Sequence, residues 1–483
     1  MLSNLDPTSS LAIGLLIFSL LMVIAFEATN GFHDAANAVA TVIYTKSLTP
    51  VQAVVWSGLM NFVGVLVGGI AVAYALVELL PADVLSPPSG APAVAMLVSL
   101  FIAALFWNIG TWWFGLPNSS SHCLIGALIG IALGNVFVRD RSFVEGVHWS
   151  QLWTVLEALA ISPVLGFVLS VIVYFVLGRT VHDKNLYKPV DDNPPVWWMR
   201  GILIFTCTGV SFAHGTNDGQ KSIGLIMLTI IGLVPALFAL NPQAAKSVDE
   251  LPQTARKAEP IIQKYGDDRK DVALKAAKAL EGFHASPPTP PSFADVLRLG
   301  KGQDGHLGSG SEAAKERSTV RNDVYQLIEQ LKHAEEAKGP TEAEKAEAKS
   351  LARQLGQPVE YAPWWVRILS AICLGVGTMI GYKRIVTTLG ARLGKVHLTP
   401  AQGASAELVS AVLIGLSGFS GLPVSTTHVV TSGIAGTMVA ARAGLQFSML
   451  SRIVIAWLVT LPVTILIAGG LYYLLEHPVP AGN

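Results

Sequence analysis

Of 483 residues, 51% are apolar and only 14% charged, alongside 45 glycines and 27 prolines; a soluble chain cannot hide that much apolar surface. The 33 basic and 33 acidic residues balance, so no net field draws nucleic acid to the chain. Of these 66 charges, 37 fall within 241–362, and the sequence outside that block reads as membrane.

A helix crosses about 30 Å of hydrocarbon with roughly 20 apolar residues. About eleven stretches are candidates, near 11–29, 51–77, 92–114, 123–138, 152–178, 199–213, 223–240, 363–381, 401–417, 429–441 and 453–475. The expected fold class is an all-α polytopic membrane protein with interrupted helices and about 10–12 membrane segments. Met1 to Ser10 contains Asp6 and no basic residue, unlike the start of a cleaved signal peptide, so the first stretch is expected to be a permanent span. Cys123, Cys207 and Cys373 lie in apolar stretches and are expected as free buried thiols, with neither a disulfide nor a metal site.

An ionisable side chain inside a membrane costs roughly 2.5–3.5 kcal/mol, so each one needs a reason. The first cluster, in EATNGFHDAANAVATVI, holds Glu27, Asn30, His33, Asp34, Asn37 and Thr41. On a helix, Asn30, Asp34, Asn37 and Thr41 share one stripe, which is either a row of ligands or a face hydrogen-bonded to a neighbouring helix. The second cluster is GLPNSSSH, Gly115 to His122. Its Gly and Pro interrupt a helix, which membranes tolerate only where protein or a cavity satisfies the freed backbone. Ser119, Ser120 and Ser121 then begin a half-helix whose amides and dipole suit an anion; an ordinary Ser cap after a Pro kink is the alternative.

Both clusters recur in order. Gly215 to Lys221 matches Gly31 to Asn37 at an offset of 184, and Gly421 to His428 matches Gly115 to His122 at an offset of 306. The offsets differ by 122, the length of the charged block. Paired interruptions at corresponding positions in two halves mark a transporter site between repeats. Six hydroxyls, Ser119, Ser120, Ser121, Ser425, Thr426 and Thr427, on two helix starts favour a small tetrahedral oxyanion. Asp34 and Asp218 would repel that anion unless a cation travels with it. Moving one charge against 100 mV costs ~2.3 kcal/mol, so cation-coupled symport is the economical expectation.

The runs GFHDAANAVATVIYT, GLPNSSSHCLIGALIG, FAHGTNDGQKSIGLIML and GLPVSTTHVVTSGIAGTMV resemble the signature segments of the inorganic phosphate transporter family, over roughly 1–240 and 363–483. The resemblance implies two inverted repeats, commonly in a homodimer. It implies phosphate held at Ser119 to Ser121 and Ser425 to Thr427, with Asp34, Asn37, Asn217 and Asp218 serving cation and phosphate together. The chain departs from sodium-coupled members: His33 replaces the first Asn of the motif in one copy and Lys221 the last Asn in the other. The departure resembles bacterial members that import phosphate, or a metal–phosphate complex, with protons. Lys221 can stand where a bound cation would. His33, His214 and Glu407 are the candidate proton carriers, although a histidine satisfied by a carbonyl, or a buried glutamate contact, explains each equally well.

The organisation expected is a first membrane repeat over 1–198, the start of the second over 199–240, a soluble insertion over 241–362 and the remainder of the second over 363–483. The insertion reads as helices near 252–282 and 311–356 around a Pro- and Gly-rich linker. Basic residues place the loops near 179–200 and 382–397 in the cytoplasm. The resemblance puts the insertion there too, and both can be cytoplasmic only if 363–381, or a neighbouring stretch, is re-entrant. Ser121–His122 and Thr427–His428 make no nucleophile–base pairs, because adjacent residues point about 100° apart on a helix. The paired LTPxQ runs at Leu48 and Leu398 keep neither repeat offset, leaving chance or helix starts to explain them. The chain is therefore expected to be a plasma-membrane (bacterial inner-membrane) phosphate importer, not an enzyme. It is driven by protons, with no cofactor beyond a co-transported proton, sodium or phosphate-bound divalent metal, and has lipid as its surroundings and no nucleic-acid partner. The rivals are a sodium-driven phosphate or sulfate carrier, a membrane enzyme acting on phosphorylated lipid carriers, and a phosphate sensor.

Overall fold

The computed structural model describes residues 10–77, 79–80, 84, 90–140, 149–190, 194–233, 238–267, 269–283 and 312–476. Two long helices, α1 (Ser10–Tyr44) and α7 (Trp197–Leu233), run unbroken through the two polar motifs. The sequence reading separates 199–213 from 223–240. The helix continues instead because the motif contains no proline and its side chains bond to neighbouring helices, His214 to Asn61 and Asn217 to Ser417, leaving the backbone ladder undisturbed. Conversely, the expected span 51–77 is two helices, α2 (Pro50–Val67) and α3 (Ala71–Val77), because Gly68 caps the first in an extended conformation.

The order continues with α4 (Gly90–Trp113), α5 (Ser120–Arg139) and α6 (Trp149–Thr180) before α7. Then come α8 (Ala245–Asp249), α9 (Leu251–Tyr265), α10 (Lys270–Glu281), α11 (Glu312–Glu336) and α12 (Glu342–Gly356). The chain closes with α13 (Trp364–Met379), α14 (Lys383–Thr387) and its π-turn to Arg392, α15 (Pro400–Ser420), α16 (Thr426–Ala440) and α17 (Phe447–Glu476). Among the described residues there is no strand, only an isolated bridge between Gly394 and Leu445.

Six helices among the described residues, α2, α4, α5, α6, α15 and α17, are long and apolar enough to cross a membrane. The pair Trp364–Met379 and Lys383–Arg392, bent by 53°, makes a seventh if counted as one span. Outside this set stand α1 and α7, which carry the polar motifs, and α16, with 15 residues. The LTPxQ runs prove to be helix starts. Thr49 and Thr399 each accept from the amide three residues on, the Gln there bonds back to the Thr amide, and Pro occupies the first turn.

The chain divides into two compact units. The larger contains residues 20–80, 95–226 and 366–483. Its helices approach closely through small residues, as membrane helices without a hydrophobic drive between them must. A Cβ added at Gly130 of α5 would lie 2.4 Å from the Ile465 carbonyl of α17, and one at Gly166 of α6 would lie 2.7 Å from the Val429 carbonyl of α16. Gly31 of α1 is pressed likewise against α13, and Gly215 of α7 against Asn61 of α2.

The smaller unit spans residues 1–19, 81–94 and 227–365. Here α9 to α12 enclose Ile262, Ala277, Leu280, Val324, Leu327, Leu331 and Leu355. Each of the two expected helical windows is a hairpin rather than one helix. The first breaks after Gly266, and the second at Pro340, after which a Thr341–Glu344 capping box restarts the chain. The expected Pro- and Gly-rich linker, 285–310, lies outside the described residues. Arg321, only 3% exposed, donates to the carbonyls of Ala239 and Val359, the latter at 2.6 Å, and to Tyr325 Oη.

Candidate functional site

The two Gly-Leu-Pro turns are built alike. Gly115 and Gly421 adopt left-handed φ values of 67° and 74°, which a side chain would strain. The following leucine amides reach back five residues, Leu116 to Thr111 and Leu422 to Ser417, closing α4 and α15 with the same C-terminal motif. Proline then forbids continuation. Ser119 and Ser425 cap the next helices, accepting from the amides of His122 and His428 at 3.1 and 3.2 Å. Helix geometry leaves the first-turn amides at Ser120, Ser121, Thr426 and Thr427 without intrahelical acceptors.

The turns meet inside the larger unit. Ser121 Oγ donates to the Val424 carbonyl at 3.1 Å, the His122 and His428 rings lie 4.3 Å apart, and all six Ser/Thr residues are buried. The Ser120 hydroxyl has no hydrogen-bond partner. In two helix starts facing each other, such an oxygen is available to a ligand.

Against these turns α1 and α7 set two carboxylates in crossed fashion. Asp34, from the first copy of the motif, accepts from Thr427 of the second turn and from Asn37 Nδ2 at 2.6 Å. Asp218, from the second copy, accepts from Lys221 Nζ at 2.8 Å, and the same ammonium donates to Ser121 of the first turn and to the Val424 carbonyl. His214 stands between the acids, its Nε2 3.3 Å from Asp34 and 3.6 Å from Asp218, while its Nδ1 meets Asn61 Oδ1 at 2.9 Å. One ligand atom each from Asp34, His214 and Asp218 falls within 4.8 Å of the others, a grouping that could hold a metal ion and that the sequence reading, which expects no metal site, does not anticipate.

Other expected residues point elsewhere. His33 Nε2 pairs with the Asn108 carbonyl at 2.7 Å, and Asn217 donates to Ser417 at 2.9 Å. Glu407 accepts from Thr206 at 2.6 Å. His122 Nδ1 meets Ser119 Oγ at 2.8 Å, not its neighbour Ser121. Cys123, Cys207 and Cys373 are free thiols. Asn61 and the Val424 carbonyl belong to the cluster yet escape the sequence reading. Asn61 lies in neither motif, and a carbonyl has no sequence signal beyond the proline before it.

The arrangement joins a fixed ammonium, buried hydroxyls and two opposed helix N-termini, which suit an oxyanion. It adds two carboxylates bridged by an imidazole, which suit a cation.

A family model described as "Phosphate transporter family" matches residues 30–468. The chain is 38% identical to the low-affinity inorganic phosphate transporter PitA of Escherichia coli (strain K12) and 37% identical to its PitB, covering 95% of this chain and 96% of each relative. A probable low-affinity inorganic phosphate transporter of Bacillus subtilis (strain 168) is 27% identical over 96% of this chain and 98% of its own. Among solved structures, one titled "The sodium-dependent phosphate transporter" has the same fold, with a TM-score of 0.53 at 21% identity, covering 96% of this chain and all of its own.

Proposed function

We propose, from the premise that the chain belongs to the phosphate transporter family, that it imports inorganic phosphate across the plasma membrane by proton symport. The observation that carries this reading is Lys221. In the second motif its ammonium occupies the space between Asp218 and the first Ser turn, where a coupling cation would otherwise balance the acid. The built-in cation removes one site for sodium and supplies a donor for the phosphate. Phosphate is held at Ser119 to Ser121 and Ser425 to Thr427, with Asp34, Asn37, Asn217 and Asp218 on the cation side. The protein works as a homodimer of two inverted repeats per chain, in a bacterial inner membrane. The reciprocal packing of α5 on α17 and α16 on α6 supports the repeat, and the transporter relatives weigh against an enzyme acting on lipid phosphates. Purified protein in sealed vesicles tests the coupling. Labelled phosphate accumulates when an inward proton gradient is imposed in sodium-free buffer; accumulation only under a sodium gradient overturns the proton reading.

A second reading rests on the converging Asp34, His214 and Asp218 atoms: a divalent cation enters with phosphate as cargo. It predicts uptake of labelled divalent metal in step with phosphate, and phosphate uptake that stops when a chelator removes the metal.

A further inference from the structure

The polar stripe of α1 does not begin at Asn30. Glu27, Asn30, Asp34, Asn37 and Thr41 follow one another at intervals of three and four residues, so all five share a face of the helix. All five are buried. From Glu27 to Thr41 the stripe extends ~21 Å at the helical rise, about two-thirds of the hydrocarbon thickness. At its centre Asp34 accepts from Asn37 and Thr427, and His214 Nε2 lies 3.3 Å from its other oxygen. At the Thr41 end stands Glu407, held by Thr206. At the other end Glu27, 1% exposed, has no cation paired to it among the described residues.

Around Glu27 the groups are few. From its own helix Asn30 Nδ2 approaches Oε2 at 3.5 Å, while Oε1 has no partner of hydrogen-bonding geometry. From α7 the Ser222 hydroxyl faces the carboxyl, with Asp218 and His214 within electrostatic reach but not bonded to it, and from α13 Cys373 is the titratable neighbour. Lys221 balances one of the two site acids and His214 lies beside both; an ionised Glu27 would add a further negative charge with no cation beside it. An isolated buried carboxylate is so costly that such a group takes up a proton instead.

We infer that Glu27 carries the coupled proton, loading it when its end of the stripe meets water on one side of the membrane and releasing it when the site opens to the other. Each cycle moves one proton on the carboxyl oxygen and leaves the residue unchanged. This inference rests on the proton-symport reading above.

The test separates two fluxes in vesicles. Exchange of internal for external phosphate needs the loaded carrier alone, whereas net accumulation needs the carboxyl to release its proton. Glu27→Gln imitates the loaded acid, so it is expected to keep phosphate exchange within about threefold of the unaltered protein. It should also lose at least tenfold in proton-driven accumulation and lose the pH dependence of exchange. Glu27→Asp, which keeps a titratable group, is expected to restore part of the accumulation. Full proton-driven accumulation in Glu27→Gln overturns the assignment. So does loss of exchange and accumulation together in both variants, which makes the residue structural, and so does the same split produced by Glu407→Gln alone. If the unaltered protein shows no proton-driven accumulation, the failure belongs to the symport reading and not to Glu27.

Discussion

The two arms of the site are built on matching motifs, and the difference that changes their charge is one side chain, Asn37 in one and Lys221 in the other. In one arm Asp34 takes its hydrogen bonds from an amide three residues on, Asn37, and from Thr427 of the opposite turn. In the other, Asp218 meets a lysine at the corresponding place, and Lys221 reaches Ser121 of the opposite turn. The amide leaves its carboxylate with a formal charge still to be balanced, whereas the ammonium cancels one outright. The second arm therefore carries a cation of its own, while the acid of the first has His214 beside it.

Removing either acid breaks that comparison most severely. Asp34→Asn and Asp218→Asn are each expected to lower phosphate accumulation at least a hundredfold with the protein still inserted; normal accumulation in vesicles from both variants would remove the cation-side assignment. Lys221→Asn makes the second arm like the first. Proton-driven uptake is expected to fall about tenfold, and sodium, filling the vacated place beside Asp218, to stimulate the remainder; initial rates with and without sodium decide it. Ser120→Ala and Thr426→Ala leave both arms' charges intact and remove one hydroxyl from each helix start. An approximately tenfold weaker apparent affinity, ~1.4 kcal/mol, is expected at unchanged maximal rate, and unchanged affinity in both would count against the anion site.

Apart from this contrast, the helical block supplies its own reference. Arg321→Ala strands two buried carbonyls, costing ~3 kcal/mol, and should lower the block's unfolding temperature with phosphate flux unchanged. The smallest effect concerns Asp323, where burial pushes the carboxyl up from 3.8 to about 6. The native block therefore binds this proton more tightly than the unfolded chain, so the contribution is present at low pH and stability falls as pH rises from about 4 to about 6. Asp323→Asn should flatten that slope in thermal melts.

The turns were legible from sequence because glycine, proline and a hydroxyl triplet have few local solutions, and their duplication pointed to a common site. Which residue would meet which was not legible. His33 and His214 sit three positions apart in the two copies and look interchangeable, yet one is absorbed by a main-chain carbonyl on α4 and the other lies beside both acids. Asn61 and the Val424 carbonyl enter only through tertiary packing. Glu27 was visible as a polar residue, but its lack of a counter-charge depends on what α7 and α13 place around it. In the charged block, apolar spacing identified helices, while the hairpin breaks at Gly266 and Pro340 depended on single residues inside otherwise continuous windows.

The clamp formed by Arg321 on the Ala239 and Val359 carbonyls, with the Asn241 amide on the Pro358 carbonyl at 2.6 Å, brings the block's first and last residues side by side. A module whose termini adjoin imposes no spacing on the chain that hosts it. Such a segment can be lengthened, exchanged for another module with adjoining termini or tagged at its far end, while its junctions keep the same short closure.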